Sequence, residues 1–140
     1  MSFITYPQSN GQVAVVVPVD ESLTVEQVAL KDVPAGLPYK IVASLDIDSA
    51  YFNAYEFDSV EGAAVNIDKA KAIHLNKFRE ARIPLLANLD VAYMKALEVE
   101  DHSAAAAIAI KKQELRDVTK ITLPDNLADL TATWPAILNP

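Results

Sequence analysis

KFREARIPLLANLDVAYMKALEVED (residues 77–101) reads as one amphipathic helix with a proline in its middle. Whether Pro84 bends or breaks that run decides the shape of the second half. Proline lacks an N–H, its ring crowds the carbonyl of Glu80, and it pushes Ile83 away from helical geometry. The helix therefore either kinks near residues 80–84 or breaks, leaving Pro84 in the first turn of a new helix. Phe78, Ala81, Leu85 and Leu89 keep three- and four-residue steps straight through the proline. A broken helix would not need that register, so the stripe favours a kink. On this reading the first arm reaches toward the N-terminal half and the second packs on residues 104–120. The proline then sets the angle between a head and a hairpin.

The stripe extends both ways. Ile67, Ala70 and His74 precede it, Ala92 and Ala96 follow, and Leu86, Tyr93 and Leu97 widen it. Asn66 stands where a cap belongs. Such a helix is roughly 50 Å long at 1.5 Å per residue. Its other sides carry Lys69, Lys77, Arg79, Glu80, Asp90, Lys95 and Glu98. After a break at VEDHS, Asp101 or Ser103 caps a second helix, with Ala105, Ile108, Ala109, Lys112 and Leu115 facing inward. The short connection predicts an antiparallel αα-hairpin. Asp125 or Asn126 then caps a short helix presenting Leu127, Leu130 and Trp134, stopped by Pro135.

The first half reads differently. In FITYPQSNGQVAVVVP (residues 3–18), Asn10-Gly11 suits a two-residue type I′ turn. That turn sets Tyr6 opposite Val15 and Ile4 opposite Val17, so Ile4, Tyr6, Val13, Val15 and Val17 share a face. Pro7 makes the first strand an expected edge. Both faces are apolar, which predicts cover on part of the second one. Thr24 and Gln27 have capping-box spacing for a helix that buries Val25, Val28 and Ala29 and ends at Pro34. Residues 39–43 read as a third strand. Residues 51–57 alternate like a strand, although Asp48 or Ser49 could first cap one helical turn. All 3 glycines lie at or before Gly62. The expected division is an acidic β-rich module (1–60), a linker (61–66) and a helical hairpin with a short C-terminal helix (67–140). The fold class is α+β.

Charge follows the same division. Residues 1–66 hold 9 acidic and 2 basic side chains, whereas residues 67–140 hold 10 of each. The acidic half repels phosphate, so nucleic acid is not an expected partner. KFREAR (residues 77–82) has three cations, but Glu80 dilutes them, and it reads as a solvated helix face. No apolar run is long enough to span a bilayer. The start MSFITYPQ lacks a basic region followed by an apolar one, so the expectation is a cytosolic protein without a leader.

Chemistry-bearing constellations are absent from the sequence. There is no cysteine, no Gly-x-Ser-x-Gly elbow and no glycine-rich phosphate loop. His74 lies on the apolar stripe and reads as a packed residue. His102 lies in the connection, and the pair has no zinc-site spacing. Asp46 and Asp48 read as a polar capping loop, since the further oxygens of a calcium loop are not in register. No enzyme, cofactor or metal is expected. The aromatics are more informative: Tyr51, Phe52, Tyr55 and Phe57 crowd the end of a module too small to bury them all. They and Trp134 are candidate contacts with another surface. Phe78, Leu86 and Tyr93 on the helical stripe are candidates of the same kind.

The helical half also carries Arg82, Leu85-Leu86-Ala87, Asp90, Leu115-Arg116-Asp117 and Trp134-Pro135, in that order. In this it resembles the small phage tail-fibre and tail assembly chaperones, over about residues 68–135. The first half looks like the N-terminal module that accompanies such tails. Those chaperones usually continue with a tryptophan-bearing loop, whereas here VAYMKALEVED stays helical. The resemblance implies a non-enzymatic phage protein that binds a tail-fibre or other virion protein, adds Arg82 and Arg116 to the candidate contacts, and allows a homo-oligomer. It leaves two readings: an assembly accessory that departs, or a virion subunit such as a fibre-base adaptor, head fibre or capsid decoration protein. Arg116 would also suit the negative end of its helix, or a pair with Asp90 across the hairpin.

Overall fold

The N-terminal hairpin turns on three residues, not two. In the computed structural model, which describes all 140 residues, the Gln8 N–H donates to the Gln12 carbonyl at 2.8 Å and the Gly11 N–H to the Gln8 carbonyl at 3.0 Å. Only Gly11 takes positive φ (+83°), and Asn10 does not. This is the Ser9-Asn10-Gly11 loop with a glycine bulge, the next commonest hairpin connection. The register of β1 (Phe3–Pro7) on β2 (Val13–Val16) therefore slips by one from expectation, pairing Ile4 with Val16 and Tyr6 with Ala14. A one-residue slip moves side chains to the opposite face. Val13 and Val15 thus part company with Ile4 and Tyr6.

β1 is also central rather than an edge. The sheet order is β2-β1-β3, with β3 (Lys40–Val42) opposite Phe3, Ile4 and Thr5. Ladder bonds alternate between neighbours along an antiparallel strand. Since Gln8 bonds β2, the Pro7 nitrogen points to the β3 side, beyond the residues that β3 covers. The missing N–H costs no ladder bond there.

Helix α1 (Val25–Asp32) covers one face. Thr24 and Gln27 form the expected capping box, and Val28 and Ala29 are buried. They close a core with Ile4 and Val33, flanked by Tyr6, Val16, Leu23, Val25 and Ile41. Pro34-Ala35-Gly36 turns into β3, with Gly36 at φ +85° and the Leu37 N–H on the Pro34 carbonyl. The other sheet face, with Thr5 and Val13 fully buried, meets a second ribbon of β4 (Tyr55–Asp58) and β5 (Gly62–Val65). The crowded aromatic segment is a composite. Asp48 caps a 3-10 helix, Ser49–Ala54, and only then does β4 begin. Residues 61–66, expected as a linker, are mostly strand β5, and Gly62 is a hairpin residue. Asn66 does cap the long helix, with its side chain accepting from the Lys69 N–H. The Glu56 carboxylate holds Lys69 at 2.8 Å and accepts from Asn66. The Lys69 contact first, then Asn66, lowers the Glu56 pKa below its ordinary 4.5. The stabilisation is complete above that value and is lost as pH falls through the depressed one.

The compact units are Met1–Ala70 and Lys71–Pro140. Helix α2 (Ile67–Glu98) is continuous through Pro84, so the break does not occur. Pro84 and Glu80 are both exposed, which leaves the unpaired Glu80 carbonyl to water. Pro84 lies inside the second unit and does not divide the β-rich module from the hairpin. Ala70, His74, Phe78 and Ala96 of the stripe are buried, as expected.

α2 ends in a Schellman motif: the Asp101 N–H reaches the Ala96 carbonyl (2.9 Å) and the Glu100 N–H that of Leu97 (3.1 Å). Glu100 takes φ +56°, the one non-glycine residue with positive φ. Glu100→Gly is expected to raise stability by about 0.5–1 kcal/mol, read by chemical denaturation, because the side chain strains a left-handed position. Asp101 then caps α3 (His102–Asp117) through the Ala104 N–H. A 3-10 turn, Val118–Lys120, follows; Asn126 caps α4 (Leu127–Ala132), and a last 3-10 turn covers Ala136–Leu138.

Candidate interaction surface

Within Lys71–Pro140, α2 and α3 are stitched antiparallel by polar contacts at the rim of an apolar seam. Arg82 Nη1 donates to the carbonyls of Arg116 (2.8 Å) and Leu115 (3.4 Å). A guanidinium on the last-turn carbonyls answers the negative end of α3. Arg116 itself stands in the last turn of α3, as expected, so Arg82 adds a second guanidinium at that end. Asp90 pairs not with Arg116 but with Lys112, at 2.6 Å, and the Lys112 ammonium lies 5.2 Å from the Tyr93 ring centre. The register explains this: Lys112 is one turn nearer Asp90. Ala105 and Leu115 are buried and Ile108 and Lys112 half-buried, whereas Ala109, expected inside, is exposed. Arg82→Ala is expected to cost about 1–2 kcal/mol, as two charge-assisted bonds to carbonyls are lost at a half-buried site. Arg116→Ala is expected to stay within about 0.5 kcal/mol of the parent, both read as melting shifts.

The C-terminal segment folds back on the same stripe. Trp134 packs edge-on to Phe78 (ring centres 5.3 Å apart) and to His74 (6.4 Å). The His74 Nε2 is 2.6 Å from the Thr133 carbonyl. Leu130 is fully buried, and Lys71 holds Asp125 at 2.5 Å, which lowers the Asp125 pKa. The histidine is a packed core residue. A cleft of about 230 Å³ between Leu85, Leu89, Leu115 and Ile137 is smaller than usual ligand pockets. No cluster of three His, Cys, Asp or Glu residues stands ready for a metal, and no helix is long and apolar enough to cross a membrane.

The expected contact residues separate by burial. Tyr51, Tyr55 and Phe78 are 3%, 6% and 0% exposed, so they are core residues rather than surface anchors. Burial, reinforced by the nearby Asp48 charge, pushes the Tyr51 hydroxyl pKa up. The Tyr55 hydroxyl accepts from the Asp48 N–H. The small module hides more of its aromatics than its size suggested, because the second ribbon adds cover. Phe52, Phe57, Arg82, Leu86 and Tyr93 are half-buried, and Arg116 and Trp134 are exposed.

A further exposed apolar stripe of the hairpin was not among those residues. Ile83, Ala87, Val91 and Met94 recur at steps of four, four and three, on the side of α2 opposite the core stripe. Ile83 is 64%, Val91 55% and Met94 58% exposed, with Leu97 at 40% beside them. The signal was present as a second stripe in the same helix, masked by the charged residues interleaved with it. No protein-family model, curated protein or solved structure matches the chain.

Proposed function

We propose that this protein is a non-enzymatic bacteriophage tail-associated accessory that works by protein–protein binding, in the manner of tail-fibre and tail assembly chaperones. The observation that carries the reading is the ordered set Arg82, Leu85-Leu86-Ala87, Asp90, Leu115-Arg116-Asp117 and Trp134-Pro135, all within Lys71–Pro140. Two of these segments meet in the Arg82–Arg116 carbonyl bond, so the pattern belongs to one helical unit. Leu86, Tyr93, Arg116 and Trp134 supply a mixed apolar and cationic rim for a fibre or tail subunit, in the host cytoplasm during assembly. The partner is a protein, not nucleic acid or a membrane.

The second reading, a resident virion subunit, is favoured by the length of α2, which suits an adaptor. Mass spectrometry of purified virions separates the two. Absence from the particle, with insoluble fibre protein when the gene is deleted, is the expected result. Stoichiometric presence would overturn the departing accessory and leave the fibre-base, head-fibre or decoration subunit.

A further inference from the structure

We infer that the outer face of α2 is the seam of a symmetric antiparallel dimer, and that its occupant is a second copy of this chain. Ile83, Val91 and Met94 are each more than half exposed, and they stand on a regular helical element rather than a loop. Steps of three and four residues are the spacing with which one helix packs on another. Ala87, at the middle, is small and exposed, so two backbones can approach closely there.

The order of charges names the partner. Lys77 and Glu80 precede the apolar stretch; Lys95 and Glu98 follow it, on the same flank. In both pairs the lysine comes three residues before the glutamate. Two antiparallel copies centred between Ala87 and Asn88 set Lys77 against Glu98 of the second copy, and Glu80 against Lys95. The same register drops Ile83 between Val91 and Met94 of the second copy. A parallel pair would set this flank against the opposite flank of the second copy and would form neither pair. Residues 67–140 carry 10 acidic and 10 basic side chains, so two such units meet without net repulsion. The inference rests on α2 alone and stands or falls apart from the phage reading.

Native mass spectrometry and sedimentation equilibrium of the full chain, at roughly 100 μM, are expected to show a species of two chain masses. Val91→Glu should weaken that dimer at least about tenfold with helical circular dichroism unchanged, because the side chain is half exposed in the single chain. Lys95→Glu should weaken it too, and Glu80→Lys combined with Lys95→Glu should restore it, as only the antiparallel register re-forms the pair. A chain that stays monomeric, or a dimer indifferent to Val91→Glu, would overturn the seam. A double variant that fails to recover would overturn the antiparallel register.

Discussion

Phe78→Ala is expected to lower the stability of the helical unit by about 3–5 kcal/mol, the range for deleting a fully buried aromatic ring. Phe78 is 0% exposed and stands between His74 and Trp134, with ring centres at 4.8 and 5.3 Å. Removing it does more than leave a cavity. It withdraws the edge-on partner of Trp134, whose ring helps hold the C-terminal segment against α2. Thermal unfolding followed by tryptophan fluorescence reads both effects at once, since Trp134 is the only tryptophan in the chain. The expected result is a lower midpoint together with a red-shifted native emission. A ring that contributed nothing to the segment would leave the emission in place.

Gly62→Ala is expected to cost about 2–4 kcal/mol, the sum of a left-handed backbone penalty and overpacking. Gly62 takes φ +87° at the start of β5. A methyl group there would meet Val42 Cγ1 at 3.1 Å and Thr5 Oγ1 at 3.2 Å. Neither neighbour is the free end of a flexible chain: both belong to the paired strands β1 and β3. The Thr5 hydroxyl is itself buried without a hydrogen-bond partner. Here β5 lies close against β1 and β3, and glycine is the residue that allows it. Gly11→Ala makes the useful contrast. It shares the positive φ, but nothing lies within 4 Å of the added carbon, so only the backbone penalty of about 1–2 kcal/mol remains. Denaturant titration of the pair separates the two costs.

These two positions also mark what the sequence could and could not convey. The stripe holding Phe78 was readable because helical periodicity repeats over many residues and survives one proline. The capping boundaries at Thr24 and Asn66 were readable, and that of α4 to within Asp125 or Asn126, because each cap is a local hydrogen-bond arrangement. Gly62 was misread as part of a linker because GAAV has little strand propensity, and its pairing with β4 depends on the turn at residues 58–61. The hairpin register slipped for a related reason. Both faces of β1 are apolar, so hydrophobic pattern could not choose between registers, and the turn geometry decided. Burial of Tyr51 and Tyr55 depended on tertiary cover that local sequence does not specify. The outer stripe of Ile83, Val91 and Met94 was obscured because Arg79, Glu80, Asp90 and Lys95 made that side look solvated.

On the proposed function, this chain binds a phage structural protein. Affinity purification of the tagged full chain from phage-infected cells, with the bound proteins identified by mass spectrometry, tests it most directly. The expected result is recovery of a tail-fibre or other virion protein in stoichiometric amount, reduced by Arg116→Glu, exposed on α3, and by Leu86→Glu, half-buried on α2. Recovery of no virion protein from infected cells, with the tagged chain folded and abundant, would contradict it.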